Sequence, residues 1–250
     1  MSEVPGPVLF ARYAFPPNAL GYCGPADHCS FVEAASDAAG LGELRRLATL
    51  FEGAWPYLEV VARCGGIADP LDPRVVESYW VGNELAVSLP PAALGAQLDG
   101  HFGGALDRRS PRPSRVVATG GVSHHSLHVF AVYPWLAILR SGRPGPALEV
   151  LDRCRIRGGR VERLEGERVW VRSTPLGFDG ARLRLEADRL EEVRRPPLGL
   201  EPGDPFAPGD LVALHWDWVC DRLSPAALGW LSECTRRNLE AVNSGADRTS

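Results

Sequence analysis

A chain of 250 residues with 45% apolar and 23% charged side chains has an ordinary globular composition and can bury one large core or two modest ones. Its formal net charge of −4 argues against a general nucleic-acid binder. No apolar run approaches the ~18 residues needed to span a bilayer, and LHVFAVYPWLAIL is interrupted by Pro134.

The opening MSEVPGPVLFARYAF has no basic segment leading into a long apolar run, so no secretory signal is expected. The expectation is a soluble, cytoplasmic protein without nucleic-acid or membrane partners. Its cysteines at 23, 29, 64, 154, 220 and 234 then stay as thiols, and no CxxC pair marks a zinc knuckle. All 27 basic residues are arginine, each a permanently charged planar fork.

Up to about residue 150 the pattern is helical. RYAFPPNALGYCGPADHCS, with its prolines and glycines, reads as an ordered loop of the kind that builds binding sites. From Phe31 to Cys64 apolar residues recur at three- and four-residue spacing, with Leu44, Leu47, Leu50 and Phe51 on one face and Pro56 splitting the stretch. Asp72 followed by Pro73 opens a further helix. PPAALGAQLDGHFGGALDRR is a weaker helix, RRSPRPSR a loop, and GVSHHSLHVFAVYPWLAILRSGRPG a single apolar helix. About five helices are expected here.

After SGRPGPA the period changes to two. LDRCRIRGGRVERL, ERVWVRST, ARLRLEA, LEEVRR and DLVALHW alternate apolar and polar positions between turns at GG, EG, DG and the long PPLGLEPGDPFAPG. These short strands suggest a small closed barrel, which leaves no exposed edge. Ser224 and Pro225 then open a terminal helix with a stripe through Leu228, Leu231 and Leu239. The fold class expected is α+β: an all-helical domain over 1–145, then over 146–250 a five-stranded OB-like β-barrel with a C-terminal helix.

The segment from Cys154 to about Val242 resembles the HypC/HupF family of nickel-iron hydrogenase maturation chaperones. CRIRGGRVERLEGERVWV aligns Cys154 with the family's motif cysteine, Gly159 with its glycine and Gly166 with its hairpin turn. In PGDLVALHWDWVCDRLSPAAL, Gly209 and Asp210 match the turn before the last strand and His215 the family's histidine. Cys154 is internal here, whereas in the family it becomes the N-terminus, and Gly158 replaces a proline. The amino-terminal half, through RYAFPPNALGYCGPADHCS and HVFAVYPWL, resembles an uncharacterised hydrogenase-associated family.

The resemblance implies that Cys154 and His215 hold an iron bearing cyanide and carbonyl ligands, Fe(CN)2CO. They would do so transiently, with a maturation protein or the hydrogenase large subunit as partner. Thiolate and imidazole suit such an iron. Trp216 and Trp218 offer broad amphipathic contact surfaces. With Arg155 and Arg157 they are the expected partner contacts. The alternative readings are a buried strand thiol at Cys154 and a hydrogen-bonded strand-end histidine at His215.

Cys23, His28 and Cys29 cluster in the first half, and His124 and His128 stand one helical turn apart in HHSLH. Such residues could hold a metal or complete the coordination begun by Cys154 and His215. The other function considered is a metal-dependent or Cys/His enzyme centred here, pairing Cys23 with His28 or His124, with the barrel as a docking module.

Overall fold

The computed structural model describes residues 4–27, 29–37, 40–103, 112–142, 146–203 and 205–244. It is a mixed α+β protein with helices in its amino-terminal part, a five-stranded sheet and a carboxy-terminal helix.

The helices are α1 (Gly6–Ala19), α2 (Ser30–Ser36), α3 (Leu41–Ala48), α4 (Trp55–Cys64), α5 (Pro73–Trp80), α6 (Glu84–Ser88), α7 (Pro91–Phe102) and α8 (Pro113–Ala118). Then come α9 (His125–Leu127), a π-helical turn (His128–Val132), α10 (Trp135–Arg140) and α11 (Ala147–Cys154). These segments outnumber the expected helices because Pro and Gly cut the long apolar stretches. Pro56 sits in the first turn of α4, and the Asp72 side chain accepts from the Arg74 backbone N–H at 2.9 Å to open α5. The stretch expected as one helix over 121–145 is broken, with an extended His124 before α9 and Pro134 ahead of α10.

Two expectations fail in ways that shape the site. The loop expected from Arg12 onward is helical as far as Ala19, with Pro16 and Pro17 inside the last turn of α1. Cys154, expected on a strand, ends α11. That helix buries Ala147, Val150, Leu151 and Cys154 at three- and four-residue spacing, and the intervening arginines only mimicked a period of two.

The strands are β1 (Arg157–Glu165), β2 (Arg168–Ser173), β3 (Leu176–Phe178), β4 (Leu183–Leu185), β5 (Arg189–Arg194), β6 (Leu211–His215) and β7 (Trp218–Arg222), followed by α12 (Pro225–Ser244). The pairings run β1-β2-β5-β7-β6, and β6 pairs in turn with β1. All are antiparallel except one parallel pair, Arg194 with Trp218. ARLRLEA, expected in this sheet, instead forms β4 and pairs only with β3. Its place is taken by WVCDR, because GDLVALHWDWVCDRLS is a tight hairpin.

Val161, Val169, Val171, Val193, Val212, Leu214 and Val219 fill the interior of this sheet with Phe206. They realise the period of two. Gly158 lies within β1, where a Cβ would meet Leu228 Cδ1 at 2.2 Å, so its lack of a side chain lets α12 close on the strand. Ser224 Oγ caps α12 by accepting from the Ala227 N–H at 3.1 Å.

The switch from helix to strand falls between Cys154 and Arg157, near the expected boundary, but the main apolar core does not respect it. Phe10, Tyr13, Trp80 and Phe130 pack in the same cluster as Ala213, Trp216, Cys220, Leu231 and Val242. The site lies across this seam.

Candidate metal centre

One donor atom from each of His125, Cys154 and His215 lies within 4.8 Å of the others, and all three residues are buried. They arrive from α9, the end of α11 and the end of β6. The sequence expectation named Cys154 and His215. It missed His125 and named His124 instead.

The reason is local. His124 is extended at φ −149° and ψ 154° and precedes the helix. Its Nδ1 accepts from the Ser126 backbone N–H at 3.1 Å and lies 2.8 Å from Ser126 Oγ. The helix starts one residue later, so His125 and His128 share a face at a spacing of three. Asn238 of α12 fixes this turn by accepting from the Val122 N–H at 2.7 Å and donating to Ser126 Oγ at 2.9 Å.

Each imidazole is oriented by a second partner, as metal-binding histidines require. The Nδ1–H of His215 donates to the Tyr13 carbonyl at 2.6 Å, leaving Nε2 with its lone pair. Tyr13 is inside α1, and its carbonyl would ordinarily accept from the N–H four residues on. That residue is Pro17, which has none. The FPPN motif thereby frees a helix carbonyl for His215. His125 donates from Nε2–H to the Cys154 carbonyl at 2.8 Å, and Tyr79 O–H donates to its Nδ1 at 3.0 Å. Loading a metal on His125 means giving up one of these bonds.

The end of α11 is held by the same elements. Arg157, 1% exposed, donates to the carbonyls of Asp152 at 3.2 Å, Arg153 at 3.1 Å and Trp216 at 2.8 Å, and pairs with Glu191 at 3.2 Å. The Trp216 N–H donates to the Arg153 carbonyl at 2.7 Å. Helix-end carbonyls that lack intrahelical donors are thus satisfied from the sheet, and Cys154 is fixed against His215.

Trp216 itself has φ 52°, the left-handed region that a bulky side chain adopts only when its surroundings hold it there. Its ring stacks on Tyr22 at 4.2 Å.

Burial governs the protonation states. It drives the pKa of His215 well below the ordinary value, with His125 beside it adding to the effect. His125 is lowered to about 4 by burial. His128 is lowered to about 3 by burial and by His125. The Cys154 thiol is raised by burial and by Cys23, against the pull of Arg157 and the Trp216 indole N–H. The cluster at neutral pH is therefore neutral imidazoles beside a thiol. A cation entering it releases the thiol proton.

A cavity of about 170 Å³ adjoins the cluster and is lined by Cys23, His125, His128, Cys154, His215 and Trp216 among others. Cys23 and His128 therefore line the same cavity as Cys154 and His215, without joining the donor cluster. His124 is not among the cavity's lining residues, Cys29 is exposed, and His28 lies outside the described residues.

The expected partner contacts need correcting. Arg155 is 4% exposed and bound to Asp152 at 2.9 Å and the Thr174 carbonyl at 2.6 Å. Arg157 is buried as described, and Trp216 is 5% exposed. All three are consumed by internal contacts. Trp218 is half-buried, edge-on to Phe15 and under the Arg194 guanidinium.

The fold and site thus define a mixed α+β protein with a buried His/Cys/His cluster between its helices and its sheet. The chain belongs to DUF6390, a family of unknown function whose model matches residues 2–249. No match was found among curated proteins or among solved structures. No helix among the described residues is long and apolar enough to cross a membrane.

Proposed function

We propose that the chain is a cytoplasmic accessory protein of nickel-iron hydrogenase maturation. It holds an iron fragment with cyanide and carbonyl ligands as cargo at Cys154, His215 and His125, and docks to a maturation protein or the large-subunit precursor. The observation that carries the reading is the meeting of Cys154 and His215. The HypC/HupF resemblance singled out that pair, which lies on separate elements, and their donor atoms fall in one buried cluster.

Three further features support it. Thiolate and imidazole are the donors such an iron prefers. Among the described residues, the buried Nε2 of His215 has no hydrogen-bond partner, so it is free to ligate. The strand order, with β5 and β7 meeting in parallel and α12 closing the chain, supports the OB-like barrel that the resemblance implies. The barrel half of the resemblance calls for this arrangement. His125 plays the part that a partner's ligand would otherwise fill. A Cys23 enzyme has less support, because His124, one of the histidines proposed to activate that thiol, is not among the residues lining the cavity that Cys23 borders.

The test is anaerobic purification after co-expression with the maturation proteins, followed by infrared spectroscopy in the cyanide and carbonyl stretching region. Bands are expected in the native chain and absent from Cys154→Ala and His215→Ala variants of native circular dichroism. A silent spectrum from a native chain that does not co-purify with any hydrogenase or maturation protein rejects the proposal.

A further inference from the structure

The cavity beside the cluster contains a histidine that the metal reading does not use. His128 is 4% exposed, and among the described residues neither of its ring nitrogens has a hydrogen-bond partner. A buried polar group left unmatched is costly, and an apolar side chain of similar shape would serve packing better. Its position is also built. A π-helical turn begins at His128, a distortion that recurs at functional sites. Gly53 leaves room for the ring, since a Cβ there would come within 2.8 Å of His128 Nε2.

Phe51, Tyr79, Trp80 and Trp135 supply flat aromatic walls, with His125, Cys154 and His215 on the side of the cluster. The volume of about 170 Å³ is near that of an apolar protein cavity of about 150 Å³ known to admit benzene. Tyr22, half exposed, and the exposed Pro134 border the cavity and mark the way in.

We propose that this cavity binds a small, neutral, planar molecule of benzene size carrying one hydrogen-bonding group, and that His128 is the residue that recognises that group. The aromatic walls take its faces, and the imidazole, with one donor and one acceptor nitrogen, takes its polar edge. His125, Cys154 and His215 line the same cavity, so the test is made on the metal-free chain, where its outcome does not depend on the iron proposal.

Phenol and benzene are the probes, titrated calorimetrically into the full chain after chelator treatment. Saturable binding is expected for both, with phenol at least tenfold tighter. In His128→Phe and His128→Leu the phenol preference is expected to collapse to about unity while Tm stays at or above that of the native chain. The Tm separates recognition from a packing role, which would lower it. Failure of both probes to bind the native chain at millimolar concentration means that water alone fills the space and overturns the proposal. Retention of the phenol preference in either folded variant overturns the role of His128. If Tm falls in both variants, the histidine is a packing residue and the assignment fails.

Discussion

Arg157 offers the most direct test of how the site is assembled. Its guanidinium is 1% exposed, pairs with Glu191 and reaches carbonyls of Asp152, Arg153 and Trp216, so it joins α11, β5 and the β6–β7 turn. Arg157→Met keeps the volume and removes every one of these bonds. The Glu191 carboxylate, 11% exposed, then loses its ion-pair partner and keeps the Ser173 hydroxyl, with Arg155 the remaining cation nearby. Breaking a buried pair from one side costs about 3–5 kcal/mol, because a charge is left behind without compensation. For a chain of this size each kcal/mol moves Tm by about 2–4 °C, so a fall of roughly 6–20 °C is expected. Adding Glu191→Gln should recover part of the loss, since the stranded charge goes with it. Arg157→Lys should cost nearly as much as the methionine, because an ammonium cannot span the fork. Thermal and urea denaturation followed by circular dichroism read these changes. A methionine variant within about 1 kcal/mol of the native chain would refute the argument that this side chain secures the seam.

Other outcomes follow from the same contacts. Pro17→Ala restores a helical N–H that competes with His215 for the Tyr13 carbonyl, so Co(II) affinity in a competition titration should fall about 10- to 100-fold with little change in stability; an unchanged affinity removes the proline from the account. Asn238→Ala leaves the buried Val122 N–H without its acceptor and should cost about 1–3 kcal/mol in urea unfolding. The metal-free chain should be labile to acid. His124 and His128 are lowered to about 3, His125 to about 4, and His215 well below its ordinary value. The unfolded chain therefore takes up protons below about pH 6.5 that the native chain refuses, and stability, full above that pH, drops as pH falls toward 4. Stability is expected to fall by several kcal/mol between pH 7 and 5, opposed by Asp221, whose pKa burial raises. A flat unfolding profile between pH 7 and 5 would contradict the burial of these rings.

What the sequence made legible was what local physics controls. The period of two located β1, β2, β5 and β6, and Asp72, Ser224 and Pro225 announced their helix starts because capping depends on neighbours alone. What it hid depends on contacts between distant segments. Arg155 and Arg157 look like exposed charges in RCRIR, yet both are buried: Arg155 reaches the Thr174 carbonyl as well as its neighbour Asp152, and Arg157 meets Glu191 across the fold. WDWVCDR carries too little alternation to announce β7, which is defined by its hairpin with β6 and a turn held at a strained Trp216. The choice between His124 and His125 turned on where one short helix begins, the feature that patterns fix least well.

The site also explains a local oddity. Two adjacent prolines in the last turn of α1 weaken that helix by any local measure, and an unmatched histidine in the core weakens the packing around it. Where sequences break local rules without a compensating contact nearby, function is the usual cause. Here the broken rules converge. The missing N–H of Pro17 orients His215, the strained backbone of Trp216 satisfies the end of the helix that carries Cys154, and the unmatched His128 faces the cavity that these residues line. Each feature costs stability alone, and together they bring Cys154 and several neutral imidazoles to the wall of one cavity. Both proposals, for a metal at the cluster and for a small neutral ligand in the cavity, rest on that convergence.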